Sequence, residues 1–127
     1  MPFVRISVTH DVSDEQLRYV ADATHNAMVA TFNVPAADRF QVLARHAQGE
    51  LICTPEYLGV AHGSKVAFVQ ITCNEGRSLD MKKAFFALLA QSVAEGGAIK
   101  ASDVIVSLVE VKKENWSFGN GLAQYAT

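Results

Sequence analysis

Pro2 carries the most chemical promise in this 127-residue chain. A small second residue lets methionine aminopeptidase remove Met1, which would leave a prolyl secondary amine at the chain end. An α-amino group titrates near ~8, and lost hydration or a nearby cation lowers that value. Such an amine acts as a general base at neutral pH. A proline after a start codon is also common with no chemical meaning. Arg77 stands in the run Asn74-Glu75-Gly76-Arg77-Ser78, where a strand is expected to turn into a helix capped by Ser78. A guanidinium beside free helix N–H groups suits a carboxylate, although a solvated turn arginine reads the same way. Asp38 follows Pro35 at a break before a strand. It is placed either to bond its own turn or to orient a water. His25, on a helix, reads as a half-buried hydrogen-bonded histidine. Trp116 and Phe118 lie in a glycine-rich tail, where they either wall an apolar pocket or pin the tail to a core or an interface.

The rest of the composition excludes several classes. Half the residues are hydrophobic and 19% are charged, so the chain folds. Net charge is −2 with the basic residues scattered, unlike a surface built for phosphates. No apolar run approaches the ~20 residues of a membrane span, and MPFVRISV does not read as a secretory signal. Cys53 and Cys73 are the only cysteines; reduced, buried thiols are expected, although one bridge is open to them. His10, His25, His46 and His62 lack metal-ligand spacing, so no metal and no cofactor are expected. There is no G-x-S-x-G, Walker loop or G-x-G-x-x-G. A small cytoplasmic domain without nucleic-acid or membrane partners is expected.

The elements that must position these residues follow from periodicity. Val4, Ile6 and Val8 alternate with Phe3, Arg5 and Ser7, which predicts a strand over 2–8. Ser13-Asp14-Glu15-Gln16 is a capping box, and Leu17, Val20, Ala21, Thr24 and Met28 continue it as a helix to about 32. Pro35 ends that helix. Phe40 to Arg45 is a second strand, and 46–64 reads as irregular. Val66 to Cys73 is a third strand, followed by a helix with Phe85, Leu88, Leu89 and Val93 at core spacing. Gly96-Gly97 ends it as a left-handed cap. Val104 to Val111 is the fourth strand, with Val104, Val106 and Leu108 on one face and Ile105, Val109 and Val111 on the other.

A shift of 65 lays Phe3 over Phe68, Val4 over Val69, Ile6 over Ile71 and Ser13 over Ser78. That offset suggests an internal duplication of about 1–46 and 65–111, with a tail at 112–127, inside one domain spanning 1–127. Pro2 falls over Ala67 and so occurs once per chain. The expected fold class is α/β (α+β): two consecutive β-α-β units forming a four-stranded sheet, both helices on one face. The last strand is apolar on both faces, so another subunit is expected to cover the second face.

Taken together, the leading Met1-Pro2, the repeated strand-helix-strand layout, the Asn74 to Ser78 turn and the segment Glu114-Asn115-Trp116-Ser117-Phe118-Gly119-Asn120-Gly121 resemble the tautomerase superfamily. Val34 to Arg39 is similar to the Val-Pro-x-x-Asp-Arg segment of its malonate semialdehyde decarboxylase-like branch. The resemblance spans essentially the whole chain and implies a homotrimer with the proline in a pocket near subunit contacts. It implies Pro2 as catalytic amine, Arg77 as binder of the substrate carboxylate and Asp38 as activator of water. His25 matches a substrate-binding histidine of a related dehalogenase. Relatives with decarboxylase or dehalogenase activity often carry a second arginine just before the one matching Arg77. Cys73-Asn74-Glu75 has none, which argues against dehalogenation. The expected activity is therefore keto-enol tautomerisation of small 2-keto or enol carboxylic acids, with Pro2 as base. Malonate semialdehyde decarboxylation or hydration, with cationic Pro2 and Asp38 activating water, is the alternative. A non-catalytic trimeric binding protein is a third reading, which retention of Met1 would favour.

Overall fold

The computed structural model describes residues 2–126. Its first strand, β1 (Phe3–Val8), leads through α1 (Asp14–Phe32) to β2 (Phe40–Arg45). A short hairpin follows, β3 (Glu56–Tyr57) and β4 (Val60–Ala61). Then β5 (Ala67–Asn74), α2 (Leu79–Glu95) and β6 (Val104–Val111) repeat the first arrangement. The main sheet has the order β2-β1-β5-β6. Each β-α-β unit pairs its own strands in parallel, and the two units meet through the antiparallel pair β1 and β5.

Alternation decides which face each side chain takes. Val4, Ile6 and Val8 of β1 and Val69, Ile71 and Cys73 of β5 are buried against the helices, with Leu43, Val106 and Leu108 packed beside them. From α1 come Val20, Met28 and Phe32, and from α2 Phe85, Leu89 and Val93. The rings of Phe32 and Phe85 lie 4.7 Å apart at the centre of this layer. The opposite sheet face is open in the single chain, where Phe40, Val42 and Val109 are each about two-fifths exposed.

Both helices begin alike. Ser13 and Ser78 hold extended backbone, at φ −72° in each case, and each hydroxyl accepts a backbone N–H three residues on. Gln16 returns a bond to the Ser13 N–H, completing the box; a cap of this kind contributes about 1 kcal/mol. The ends differ. α1 stops on Asn33 in the left-handed region at φ 57°, two residues before Pro35, so the asparagine turns the chain ahead of the proline. α2 stops at a glycine pair whose members have unrelated reasons to be glycine. Gly97 takes φ +81° with open space around it, whereas Gly96 is right-handed and lies under the Tyr19 ring, 2.5 Å from where a Cβ would stand. The Tyr19 hydroxyl donates to the Ser92 carbonyl at 3.1 Å, so the ring cannot easily withdraw.

The stretch 46–64 departs from the irregular segment expected. It contains the β3–β4 hairpin, closed by Leu58 and Gly59 at φ 50° and 84°. Both central residues have positive φ, the type I′ arrangement usually marked by Asn-Gly. A leucine there carries no such mark, and strands of two residues leave no periodicity to read. The ribbon stands beside a groove of about 570 Å³ floored by Phe68, Val104 and Ile105. It is anchored by Gly63, whose N–H donates to the buried Asp103 carboxylate at 2.7 Å.

Candidate active site

Strand register gathers the candidate residues at one end of the sheet. Pro2 is buried and runs directly into Phe3, which pairs with Phe40 of β2 and with Thr72 of β5. The start of β1 therefore lies beside the start of β2 and the finish of β5. At the far side of β5, Asn74 pairs with Val111 at the finish of β6. The C-terminus of α1 and the N-terminus of α2 close the same end through Arg77.

Arg77 is held rather than free. One terminal nitrogen donates to the Asn74 carbonyl at 3.2 Å and the other to the Phe32 carbonyl at 3.3 Å. Its guanidinium carbon lies 4.9 Å from the Phe32 ring centroid, over the face. Its Nε is buried with no partner among the described residues. The charge is felt at the inner end of β5: burial raises the Cys73 thiol above its ordinary range, and Arg77 draws it partly back. The turn carrying Arg77 is braced from below. Glu110 accepts from Lys82 at 2.7 Å, and that bond above all holds its carboxyl below the usual range.

Asp38 sits half-buried immediately before β2. Its backbone N–H closes a turn onto the Pro35 carbonyl at 2.9 Å, and its carboxylate has no hydrogen bond or ion pair among the described residues. Neighbouring Arg39 is committed elsewhere, to Asp22 at 2.7 Å and Gln41 at 3.0 Å. His25 is only 5% exposed. Its Nε2 donates to the Ala36 carbonyl at 2.8 Å, tying the loop that carries Asp38 to α1. That bond engages one ring nitrogen with the protein itself; the other, Nδ1, is buried without a partner among the described residues.

The tail forms an aromatic wall at this end. Trp116 stacks on Phe118 at 5.4 Å, Phe118 stacks on Phe40 at 5.9 Å, and Tyr125 meets Phe118 edge-on at 5.3 Å. The Trp116 indole N–H donates to Asn74 Oδ1 at 2.7 Å. A cavity of about 530 Å³ opens here, lined by Asn74, Glu75, Val111, Lys112, Lys113, Glu114, Tyr125 and Ala126. Pro2, Arg77 and Asp38 are not among its lining residues; Arg77 adjoins it through its bond to the Asn74 carbonyl. Sequence reasoning passed over Asn74, Phe32 and Phe40, whose roles arise from contacts distant along the chain. Among the described residues, no cluster of three His, Cys, Asp or Glu side chains is arranged for a metal ion. No helix there is long and apolar enough to cross a membrane.

Known proteins share this fold. A malonate semialdehyde decarboxylase inhibited by 3-bromopropiolate superposes with a TM-score of 0.90 at 36% identity, over 97% of this chain and 93% of that one. A second malonate semialdehyde decarboxylase, studied for its decarboxylase and hydratase activities, gives 0.88 at 34% identity over 97% and 95%. The four-stranded mixed sheet of two β-α-β units under two helices is thus the α+β tautomerase fold. A probable tautomerase of Bacillus subtilis (strain 168), YusQ, is 32% identical over 98% of both chains. Two family patterns described as tautomerase enzyme match residues 38–119 and 2–61. The chain belongs to the tautomerase family and is an enzyme of that superfamily.

Proposed function

We propose that this enzyme is a keto-enol tautomerase of small 2-oxo and enol carboxylic acids. The observation that carries this reading is the burial of Pro2 at the sheet end that also holds Arg77. Burial strips hydration from an ammonium, and a neighbouring guanidinium repels it, so both effects favour the neutral amine at pH 7. Neutral Pro2 takes a proton from the enol hydroxyl and, as the resulting ammonium, returns one to the adjacent carbon. Arg77 grips the carboxylate and stabilises the negative charge that develops on the enolate. Trp116, Phe118 and Phe40 keep water away from that charge. The similarity to YusQ, itself a probable tautomerase, supports the same reading. Three copies closing over the open sheet face, the assembly the sequence resemblance implies, would cover Phe40, Val42 and Val109.

Titration of Pro2 by ¹⁵N NMR, in protein labelled at proline and freed of Met1, tests the protonation state directly. An apparent pKa below the ~8 of a free α-amino group is expected. A value above it would replace the base by an acid and defeat the tautomerase reading.

The uncommitted Asp38 carboxylate favours a second reading, decarboxylation or hydration of a 3-oxo acid, as does the similarity to two malonate semialdehyde decarboxylases. There a cationic Pro2 would polarise the substrate carbonyl and Asp38 would orient water. Asp38→Asn separates the two. Tautomerase turnover is expected to change little. Hydratase or decarboxylase turnover would fall by roughly 10²-fold or more, the scale of a lost general base. Rates on an enol acid and a 3-oxo acid, measured side by side in parent and variant, read this out.

A further inference from the structure

We infer that Asn74 is a substrate-contacting residue, donating a hydrogen bond from its side-chain amide to a neutral oxygen of a monocarboxylate substrate. This rests on the oxo-acid reading above and narrows it. The orientation of the amide follows from its partner. An indole N–H donates only, so the Asn74 atom facing Trp116 at 2.7 Å is the oxygen, and the NH₂ group points away from it. That NH₂ has no hydrogen-bond partner among the described residues and is not among their buried unpartnered atoms. Asn74 lines the 530 Å³ cavity, and its two amide donors have no partner among the described residues. The Asn74 carbonyl meanwhile holds Arg77. One residue therefore sets the spacing between a cationic anchor for a carboxylate and a neutral donor for a second oxygen.

The surroundings decide which second oxygen fits. Lys112 and Lys113 share the cavity lining with Glu75 and Glu114, so their charges cancel. Lys113 Nζ lies 5.9 Å from the Tyr125 ring centroid. The lining thus offers no net positive charge for a second carboxylate, whereas a carbonyl or enol oxygen needs only the amide donor. The inferred substrate class is an oxo or enol acid with one carboxylate, and dicarboxylates are disfavoured.

Kinetics on the enol forms of phenylpyruvate, a monocarboxylate, and oxaloacetate, a dicarboxylate, test this. The parent is expected to favour enol-phenylpyruvate in kcat/KM. Asn74→Asp keeps the oxygen that Trp116 needs but replaces the donor by an acceptor. It should lower kcat/KM on enol-phenylpyruvate by roughly 10- to 100-fold, the scale of a lost hydrogen bond with an unmatched charge. Fluorescence of Trp116, the only tryptophan, should stay at its parent position, a combination that a purely structural role would not produce. Asn74→Arg should move the preference toward enol-oxaloacetate. If Asn74→Asp does not fold, Trp116→Phe carries the test: it keeps an aromatic ring but frees the amide to turn, and should also lower kcat/KM. Unchanged kcat/KM and unchanged preference in these variants would overturn the inference alone. A parent inactive on both acids would defeat the oxo-acid reading and this inference together.

Discussion

Pro2→Ala is expected to lower kcat/KM on an enol acid by about 10²- to 10⁴-fold, the usual contribution of a positioned acid or base. The substitution leaves an α-amino group, so the loss measures what the proline ring adds: a secondary amine held in one direction at the start of β1. Because Pro2 is buried, the thermal transition must be recorded beside the rate. Only an activity loss larger than any shift in stability speaks for chemistry. Comparison with protein that keeps Met1 separates the amine from the ring. That form retains the proline but turns its nitrogen into an amide that cannot take a proton, and it should be at least as inactive as the variant, which still has an amine. A Pro2→Ala protein that keeps the parent rate would sink both the tautomerase and the decarboxylase readings.

The second large effect is expected at Arg77. On the proposed reading its removal takes away charge-assisted hydrogen bonds to a carboxylate, each worth about 1.5–3 kcal/mol, or roughly 10- to 150-fold in kcat/KM. Arg77→Ala should raise KM and lower kcat together, because the same charge that holds the ground-state carboxylate also faces the enolate. The residue also bonds the Asn74 and Phe32 carbonyls and covers the Phe32 ring, so some stability goes with it. A neutral substrate distinguishes these roles. With the methyl ester of the same enol acid the penalty should shrink sharply. An equal loss on acid and ester would mean that Arg77 shapes the site without meeting the carboxylate. Arg77→Lys keeps the charge but not the planar fork, and should recover only part of the rate.

Much of the fold was legible because local chemistry and long-range packing agree. The Ser13 capping box, the alternation of Val4, Ile6 and Val8, and the spacing of Phe85, Leu89 and Val93 each place the same residue on the same face in sequence and in structure. The offset that aligns Phe3 with Phe68 likewise announced the two repeated units, though not the antiparallel pairing of β1 with β5 that joins them. Leu58 shows where legibility ends. Its left-handed backbone is set by the hairpin around it, and nothing about a leucine announces a positive φ. Asn33 was hidden behind Pro35, the louder signal two residues later. At the candidate site the individual residue types were readable, but the geometry that joins them was not. Trp116 reaches Asn74 across 42 residues, and Arg77 reaches Phe32 across 45. Such bonds are fixed by register, which periodicity within one strand does not encode.

The two glycines that close α2 look interchangeable as letters, yet they forbid opposite things. Gly97 forbids a hand: the place of an added Cβ is empty, but a backbone φ of +81° strains an L-residue and suits the mirror-image configuration. Gly96 forbids bulk: at φ −71° its backbone suits any L-residue, but the pinned Tyr19 ring fills the place of the methyl group. At this point of the chain, chirality and volume are separate constraints written in the same symbol, and a chemically synthesised protein could satisfy the one while still violating the other.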